Sequence, residues 1–464
     1  MNLTLVLLLA YSAGLIGLGV WIGRRVETSG GFFVADRRLN AALLFSTVLA
    51  ANIGAGSTVG AAGLGYRDGM SAWWWVGSAA VGTLALAFWI GPRIWRIAAD
   101  QGLYTAGDYL EFRYGSSVRA TITTLLWIGT PWLLAAQLIA MAKILGFVAG
   151  TPHWVGVLIG GIVVTAYFTA GGLLTSAWIN MVQVVVLVVG FAVALPWAWH
   201  AVGGWAALVE AAPPTSDYLN FWHGGESGWI YLALLVPNFM VSPGLIQKVY
   251  GAVDERAIRI GVAAAAVALF IFALAPPVFG LIAHTLDPAL ADSEQALMLV
   301  LAAGLPTLLG SLGLAAVFSA EISSADAILF MLATSLSKDL YKRFVRPDAS
   351  DRAVLRVARG AAVAGGGLAI LLALVLPSVI DALTVFYTLM AVCLFVPVVA
   401  GLHTRLPGVP EALAACGAGV VTLITVERTG LSDVSPLLNS SLLGIVASAS
   451  AFAVVAMWRS SRAR

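Results

Sequence analysis

Apolar runs of bilayer length recur from one end of this chain to the other. A membrane core needs about 20 such residues per helix. Inside lipid, only helices and closed barrels satisfy their own backbone hydrogen bonds. Hydropathy predicts about thirteen helical spans, near residues 2–23, 40–65, 71–92, 121–149, 154–171, 178–199, 228–248, 259–284, 297–337, 358–377, 379–402, 410–427 and 437–458. Pro306 is expected to interrupt the long ninth segment. Only 10% of the 464 residues are charged, against about 25% in soluble domains. The fold class is therefore an all-α integral membrane protein, and no soluble domain is expected. Cys393 and Cys416 lie in apolar runs and read as buried thiols rather than a disulfide framework. The first span has no basic residue before it, and Arg24 and Arg25 follow it. That is the reverse of a signal peptide, so the span is expected to be retained.

Charge placement sets the orientation. With the N-terminus outside, 22 of the 25 Lys and Arg fall in inner loops or the tail, Lys248 among them; Arg67, Lys143 and Arg428 fall outside. That asymmetry predicts a multi-pass protein of the plasma (inner) membrane with a cytoplasmic C-terminus. Lys143 is expected to snorkel to the outer headgroups. Trp73, Trp74 and Trp75 are expected to belong to an interfacial belt rather than an outer gate. The outer loop near 201–228 is a candidate cap. The basic inner loop 342–359 should be drawn to anionic lipid headgroups. The five histidines lie near span ends or in loops. That argues against an imidazole relay or a metal centre. No nucleic-acid partner is expected.

One span is a poor continuous helix. Its middle, Ala51-Asn52-Ile53-Gly54-Ala55-Gly56-Ser57-Thr58, places two glycines among Asn, Ser and Thr. Small residues permit close helix packing; alternatively, the break lines a cavity. A second span, 228–248, carries Pro237, Asn238, Ser242, Pro243 and Gly244 and is broken too. Each broken helix heads a set of five spans, so the second set enters the membrane from the opposite side. Paired breaks in inverted repeats point to a transporter's binding site. The resulting divisions are 1–39 (extra span and inner loop), 40–200 (first repeat), 201–227 (outer loop), 228–402 (second repeat) and 403–464 (extra spans and tail).

Residues near 310–337 form a third element. Ala320, Ser323 and Ser324 share one helical face, continued by Ala327 and Thr334. Hydroxyls and freed carbonyls suit a small alkali cation. The alternative is that the serines only bond back to their own helix. Glu321 and Asp326 flank that face inside the span, where carboxylates are expensive. Three roles compete for them: structural hydrogen bonding, negative field at an ion site, and proton coupling.

Several stretches resemble the sodium/solute symporter family, which includes sodium–sugar, sodium–proline and sodium–pantothenate transporters. They are FFVADRRL at 32–39, AANIGAGSTVGAAGLGY at 50–66, GDYLEFRYG at 107–115, AGGLLTSAWINMVQ at 170–183, GLIQKVYGA at 244–252 and SAEISSADAILFMLATSLSKDLYKR at 319–343. The resemblance implies a LeuT-like five-plus-five inverted-repeat core with extra N- and C-terminal spans. It implies sodium ligands at the carbonyls of Ala50, Ile53 and Ala320 and the hydroxyls of Ser323 and Ser324. It places solute contacts at Asn52, Gly56, Ser57, Gln137, Asn238 and Ser242. Family members often carry Trp-Thr-Asp where this chain has Trp178-Ile179-Asn180. Asn180 lacks the charge that helps some members bind a second sodium, so one coupled sodium is expected.

The expected activity is sodium-coupled symport of a small polar organic solute by alternating access, with the protein working as a monomer. A proton-coupled symporter using Glu321 or Asp326 is the alternative. A membrane-embedded enzyme, such as a lipid-phosphate transferase, would need clustered metal ligands that the sequence does not show. The expected cavity lacks arginine, and its side chains are neutral amides and hydroxyls. Sugar, amino acid and monocarboxylate all stay open as solutes.

Overall fold

The computed structural model describes residues 3–23, 29–169, 173–213, 217–404, 408–433 and 435–462. Arg24, Arg25, Arg405 and Arg464, which the charge argument assigns to the inner side, lie outside the described residues. So does the start of the stretch 170–183.

Helix α1 (Leu3–Gly23) and the short α2 (Ser29–Val34) precede the first interrupted rod, α3 (Ala41–Asn52) and α4 (Val59–Asp68). Next come α5 (Trp73–Ala85), a π-helical turn at Leu86–Ile90, and α6 (Gly91–Gln101). The link α7 (Ala106–Tyr114) leads into α8 (Ser116–Ala149), α9 (His153–Thr169) and α10 (Leu173–Ala201). After the short α11 (Gly204–Ala211) and a two-stranded hairpin, α12 (Tyr231–Val241) and α13 (Pro243–Tyr250) form the second interrupted rod. Then follow α14 (Glu255–Phe272), α15 (Ala275–Leu286), α16 (Ala296–Ala303) and α17 (Thr307–Thr334), which runs on as a π-helix to Val345. The chain ends with α18 (Asp351–Val375), α19 (Val379–His403), α20 (Val409–Thr429) and α21 (Ser440–Arg462). Among the described residues, ten segments are long and apolar enough to cross a membrane. The other expected spans, 2–23, 40–65 and 154–171, hold shorter apolar helices at Thr4–Leu15, Ala41–Asn52 and His153–Thr165.

Local chemistry explains the breaks. Asn40 starts α3 by accepting from the Leu43 N–H. The rod stops where Ile53 and Gly54 turn extended, at φ −107°, ψ 104° and φ −155°, ψ −155°. In the second rod, Ser242 is non-helical at φ −50°, ψ 122°. Pro243 then opens α13, where its missing N–H costs nothing. Pro306 stands between α16 and α17, as its backbone chemistry predicts.

Packing repeats itself in the two sets. Helix α3 lies on α14 and α4 on α15, as α12 lies on α5 and α13 on α6. Helix α8 meets α19 as α10 meets α17. Helix α17 is the axis of the assembly, and its most apolar window is wholly buried. A helix enclosed on all sides can hold polar side chains that lipid would reject.

Two polar clusters fasten the ends of this core. Lys143 does not snorkel. Its ammonium lies 2.5 Å from Asp292 and 3.0 Å from Glu294. The other Glu294 oxygen accepts from the Ser378 hydroxyl at 3.0 Å and from the Val379 and Ile380 N–H groups at 2.8 and 3.3 Å. Glu294 therefore caps α19 from a distant part of the chain. Replacing Glu294 by Ala removes the cap and leaves Lys143 with one partner. We expect a loss of about 2–4 kcal/mol, read as a thermal midpoint several degrees lower in detergent. An unchanged midpoint would remove this role.

At the other cluster, Arg119 contacts Asp108, Glu111 and Asp339 at 2.8, 2.7 and 2.7 Å, tying α7 and α8 to the end of α17. The stretch GDYLEFRYG thus supplies two carboxylates to one guanidinium. Partial burial works against ionisation of Glu111. Arg343 and Arg119 outweigh it and hold the carboxyl below its usual range. A depressed carboxylate stabilises the fold above its unfolded pKa of about 4.3, and that contribution fades as pH falls through the lower folded value. Glu111→Gln should therefore lower the thermal midpoint at pH 7 and lose less than the parent between about pH 4 and pH 3. Parallel pH–melting curves would contradict this.

Candidate functional site

The site is built on the carbonyls that the α3 break sets free. A helix leaves its last carbonyls without intrahelical partners, and their dipoles put partial negative charge there. Ala50 O receives the hydroxyls of Ser323 and Ser324 at 3.3 and 3.2 Å. Ser324 also contacts Ile53 O at 2.9 Å, and Ser323 contacts Ala320 O at 2.9 Å. The structure thus brings together all five positions named from the sequence. Each hydroxyl carries one hydrogen, so two protons serve four contacts to three carbonyls. The cluster holds more oxygen lone pairs than hydrogens to fill them. Its donors are all hard oxygens, the set a small alkali cation takes.

The other side of the break is satisfied by side chains. Gly54 N–H donates to Ser57 Oγ and Ala55 N–H to Gln137 Oε1, both at 2.9 Å. The Thr58 hydroxyl lies 2.7 Å from Glu321 Oε1 and 2.9 Å from Gly54 O. Glu321 is fully buried, and its second oxygen has no partner among the described residues. Asp326 accepts from the Ser176 hydroxyl. The two carboxylates therefore do different things: one steadies the α4 end of the break and the other holds α10. Asn180 donates to Thr47 Oγ1 at 3.2 Å.

A cavity opens beside the oxygen cluster. All six positions expected to touch solute line it: Asn52, Gly56, Ser57, Gln137, Asn238 and Ser242. Ser324 lines it as well, so one hydroxyl serves both the cluster and the cavity. Glu321 and Asp326 do not form its wall. Met331 belongs both to this wall and to a smaller cleft beside Thr105, Gln247 and Asp339.

The sequence reading missed two kinds of wall residue. Trp73 and Trp75 are only 4% exposed, and Trp75 lines the cavity with Tyr387 and Leu383. They are core, not interfacial belt; Trp74 alone keeps a half-buried position, donating to Phe221 O at 2.9 Å. Lys248 was assigned to an inner loop, yet it is 2% exposed and lines the cavity. The expectation of a wholly neutral wall is corrected accordingly. A signal was present: α13 has 8 residues, about 12 Å of helix. A helix that starts at a mid-membrane break and is that short keeps its last turn inside the protein. Among the described residues, no group of three or more His, Cys, Asp or Glu side chains is placed to hold a metal.

Comparison with known proteins places this geometry. The profile of the Sodium:solute symporter family matches residues 32–407. The sodium/pantothenate symporter of Escherichia coli (strain K12) is 26% identical over 95% of this chain and 94% of its own length. The sodium/glucose cotransporter of Vibrio parahaemolyticus is 23% identical over 94% of this chain and 82% of its own. A solved Na+-coupled sialic acid symporter, in its substrate-bound outward-open state, superposes with a TM-score of 0.80 at 18% identity, covering 98% of both chains. That likeness fixes the fold as LeuT-like. With its broken rods, its oxygen cluster and a family match over most of its length, the chain belongs to the sodium:solute symporter family and is a sodium-coupled transporter, not an enzyme.

Proposed function

We propose that the carbonyls of Ala50, Ile53 and Ala320 and the hydroxyls of Ser323 and Ser324 bind the coupled sodium, one ion per cycle. The adjoining cavity binds a small polar organic solute. Ser324 carries this reading, because its hydroxyl contacts Ile53 O at 2.9 Å and also faces the cavity. An ion held there fastens α3 to α17 and fixes the break from which Asn52, Gly56 and Ser57 meet the solute. Each cargo then strengthens binding of the other by one coupling free energy. Relatives are named for pantothenate and for glucose, so a small organic solute fits the family. Asn52 and Asn238 commit their amide nitrogens to Thr83 Oγ1 and Leu234 O. Their amide oxygens have no partner among the described residues and suit hydroxyl or N–H donors on a solute. The Lys and Arg asymmetry supports a cell-membrane transporter with its N-terminus outside and C-terminus in the cytoplasm. The protein works as a monomer, since one chain supplies every group named here.

The test is thermal stability of the purified protein in sodium or potassium chloride at equal ionic strength. Sodium at 100 times its Kd should add about 2.7 kcal/mol. Equal stabilisation by potassium would overturn the ion site. Uptake into proteoliposomes that persists without sodium would overturn the coupling.

A further inference from the structure

Among the described residues, Lys248 is the one charged group on the cavity wall. It stands on α13, past the break at Ser242, and is 2% exposed. Among the described residues its ammonium closes no hydrogen bond and no ion pair. Asp326 attracts it through space. That carboxylate, however, is held by the Ser176 hydroxyl and stays off the wall, which α17 forms with Ser324, Ala327, Ile328 and Met331. An ammonium in a low-dielectric site without a contacting acceptor is costly. An arriving anion supplies that acceptor. Elsewhere on the wall the unmet groups have the opposite character: the amide oxygens of Asn52 and Asn238 lack donors. The wall therefore asks for a solute with donors in one part and a single anionic acceptor in another.

We propose that Lys248 is the anion subsite of this cavity and that the solute is a monocarboxylate bearing hydroxyl or amide N–H donors. The proposal rests on the reading of the cavity as the solute site. A dianion would bring a second negative charge to a wall with one cation and to the neighbourhood of Asp326. A sugar or polyol would satisfy the amides and leave the ammonium bare.

The experiment uses the purified full chain in sodium buffer and matched pairs differing at one end: gluconate against sorbitol, pantothenate against pantothenol, lactate against propane-1,2-diol. Thermal stabilisation is the readout. The acid of at least one pair should stabilise the protein and its uncharged partner should not. Lys248→Gln should weaken that acid about 10- to 100-fold, with Lys248→Arg keeping part of the affinity. The sodium response without solute should be unchanged in both variants. Failure of all three acids to stabilise the protein overturns the proposal, as does an uncharged member that stabilises as much as its acid, or an unaltered affinity for the acid in Lys248→Gln. Stability without solute separates the structural explanation. The parent should not exceed Lys248→Gln; a drop that Asp326→Asn restores would make Lys248 a structural partner of Asp326 and overturn the subsite. Absence of sodium stabilisation in the parent protein would instead bring down the underlying site reading.

Discussion

Ser324→Ala removes most of the sodium response and leaves the protein folded. The hydroxyl touches both Ala50 O and Ile53 O, so its loss deprives the proposed ion of one of five oxygens and frees the end of α3 from α17. A contact to a charged partner is worth about 1.5–3 kcal/mol, which converts to about 10- to 150-fold in affinity. The half-saturating sodium concentration for stabilisation and for uptake should rise by that factor. The fold should tolerate the change. One small hydroxyl is lost from a cavity wall that Asn52 and Gly54 also line, so a water in the cavity can take its place beside Ile53 O. Ser323→Ala should do less, because that hydroxyl sits nearer its own-helix carbonyl, Ala320 O at 2.9 Å, than Ala50 O at 3.3 Å. The order of the two variants is informative by itself. If Ser323→Ala were the more damaging, the ion would lie further toward Ala320 than the cavity wall suggests. An unchanged sodium response in Ser324→Ala would strike that residue from the ligand set.

The breaks were legible because their cause is local. Gly54, Gly56 and Pro243 act on their own backbone, and a hydropathy window sees the apolar residues around them. The Ser323/Ser324 face was legible for the same reason, since helical spacing alone puts both hydroxyls on one side. Positions whose role depends on a distant partner were not legible. Lys143 looked like a snorkelling cation because nothing near it in sequence reveals Asp292 and Glu294. Trp75 looked like an interfacial aromatic until Tyr231 and Tyr387 closed around its ring. Helical spacing puts Glu321 and Asp326 beside the serine face, yet their partners Thr58 and Ser176 lie in other parts of the chain and no spacing rule names them. Lys248 is the instructive case. The count of basic residues is a sum, and a sum of 25 tolerates one misplaced charge without protest.

Gly280→Ala prevents α15 from seating on α4 and costs more stability than any substitution at the ion cluster. A Cβ there would lie 2.3 Å from Tyr66 N, 2.4 Å from Ala62 O and 2.4 Å from Gly65 C. All three are backbone atoms, so no rotamer change relieves the overlap. The two helices must separate. In lipid no hydrophobic gain between helices repays the lost contact. Overpacking ordinarily costs about 1–3 kcal/mol, and a backbone-on-backbone clash belongs at or beyond the upper end. The expected result is a sharply lower yield of folded protein and a thermal midpoint many degrees down. Gly360→Ala and Gly417→Ala serve as controls, because a Cβ at either meets nothing within 4 Å. Both should be neutral or stabilising by up to about 1 kcal/mol through helix propensity. Gly54→Ala strikes the ion cluster itself. Its Cβ would meet Ser324 Oγ at 2.3 Å, Gln137 Oε1 at 2.6 Å and Ser324 Cβ at 2.6 Å; the first two can turn aside, but the third moves only with the backbone of α17. That variant should lose sodium affinity together with stability, whereas Gly280→Ala, remote from the cluster, should lose stability alone. Glycines that look alike in the sequence thus divide by what stands opposite them. Should Gly280→Ala melt like the parent, the close approach of α4 and α15 is not the contact that holds the α4 half of the first rod.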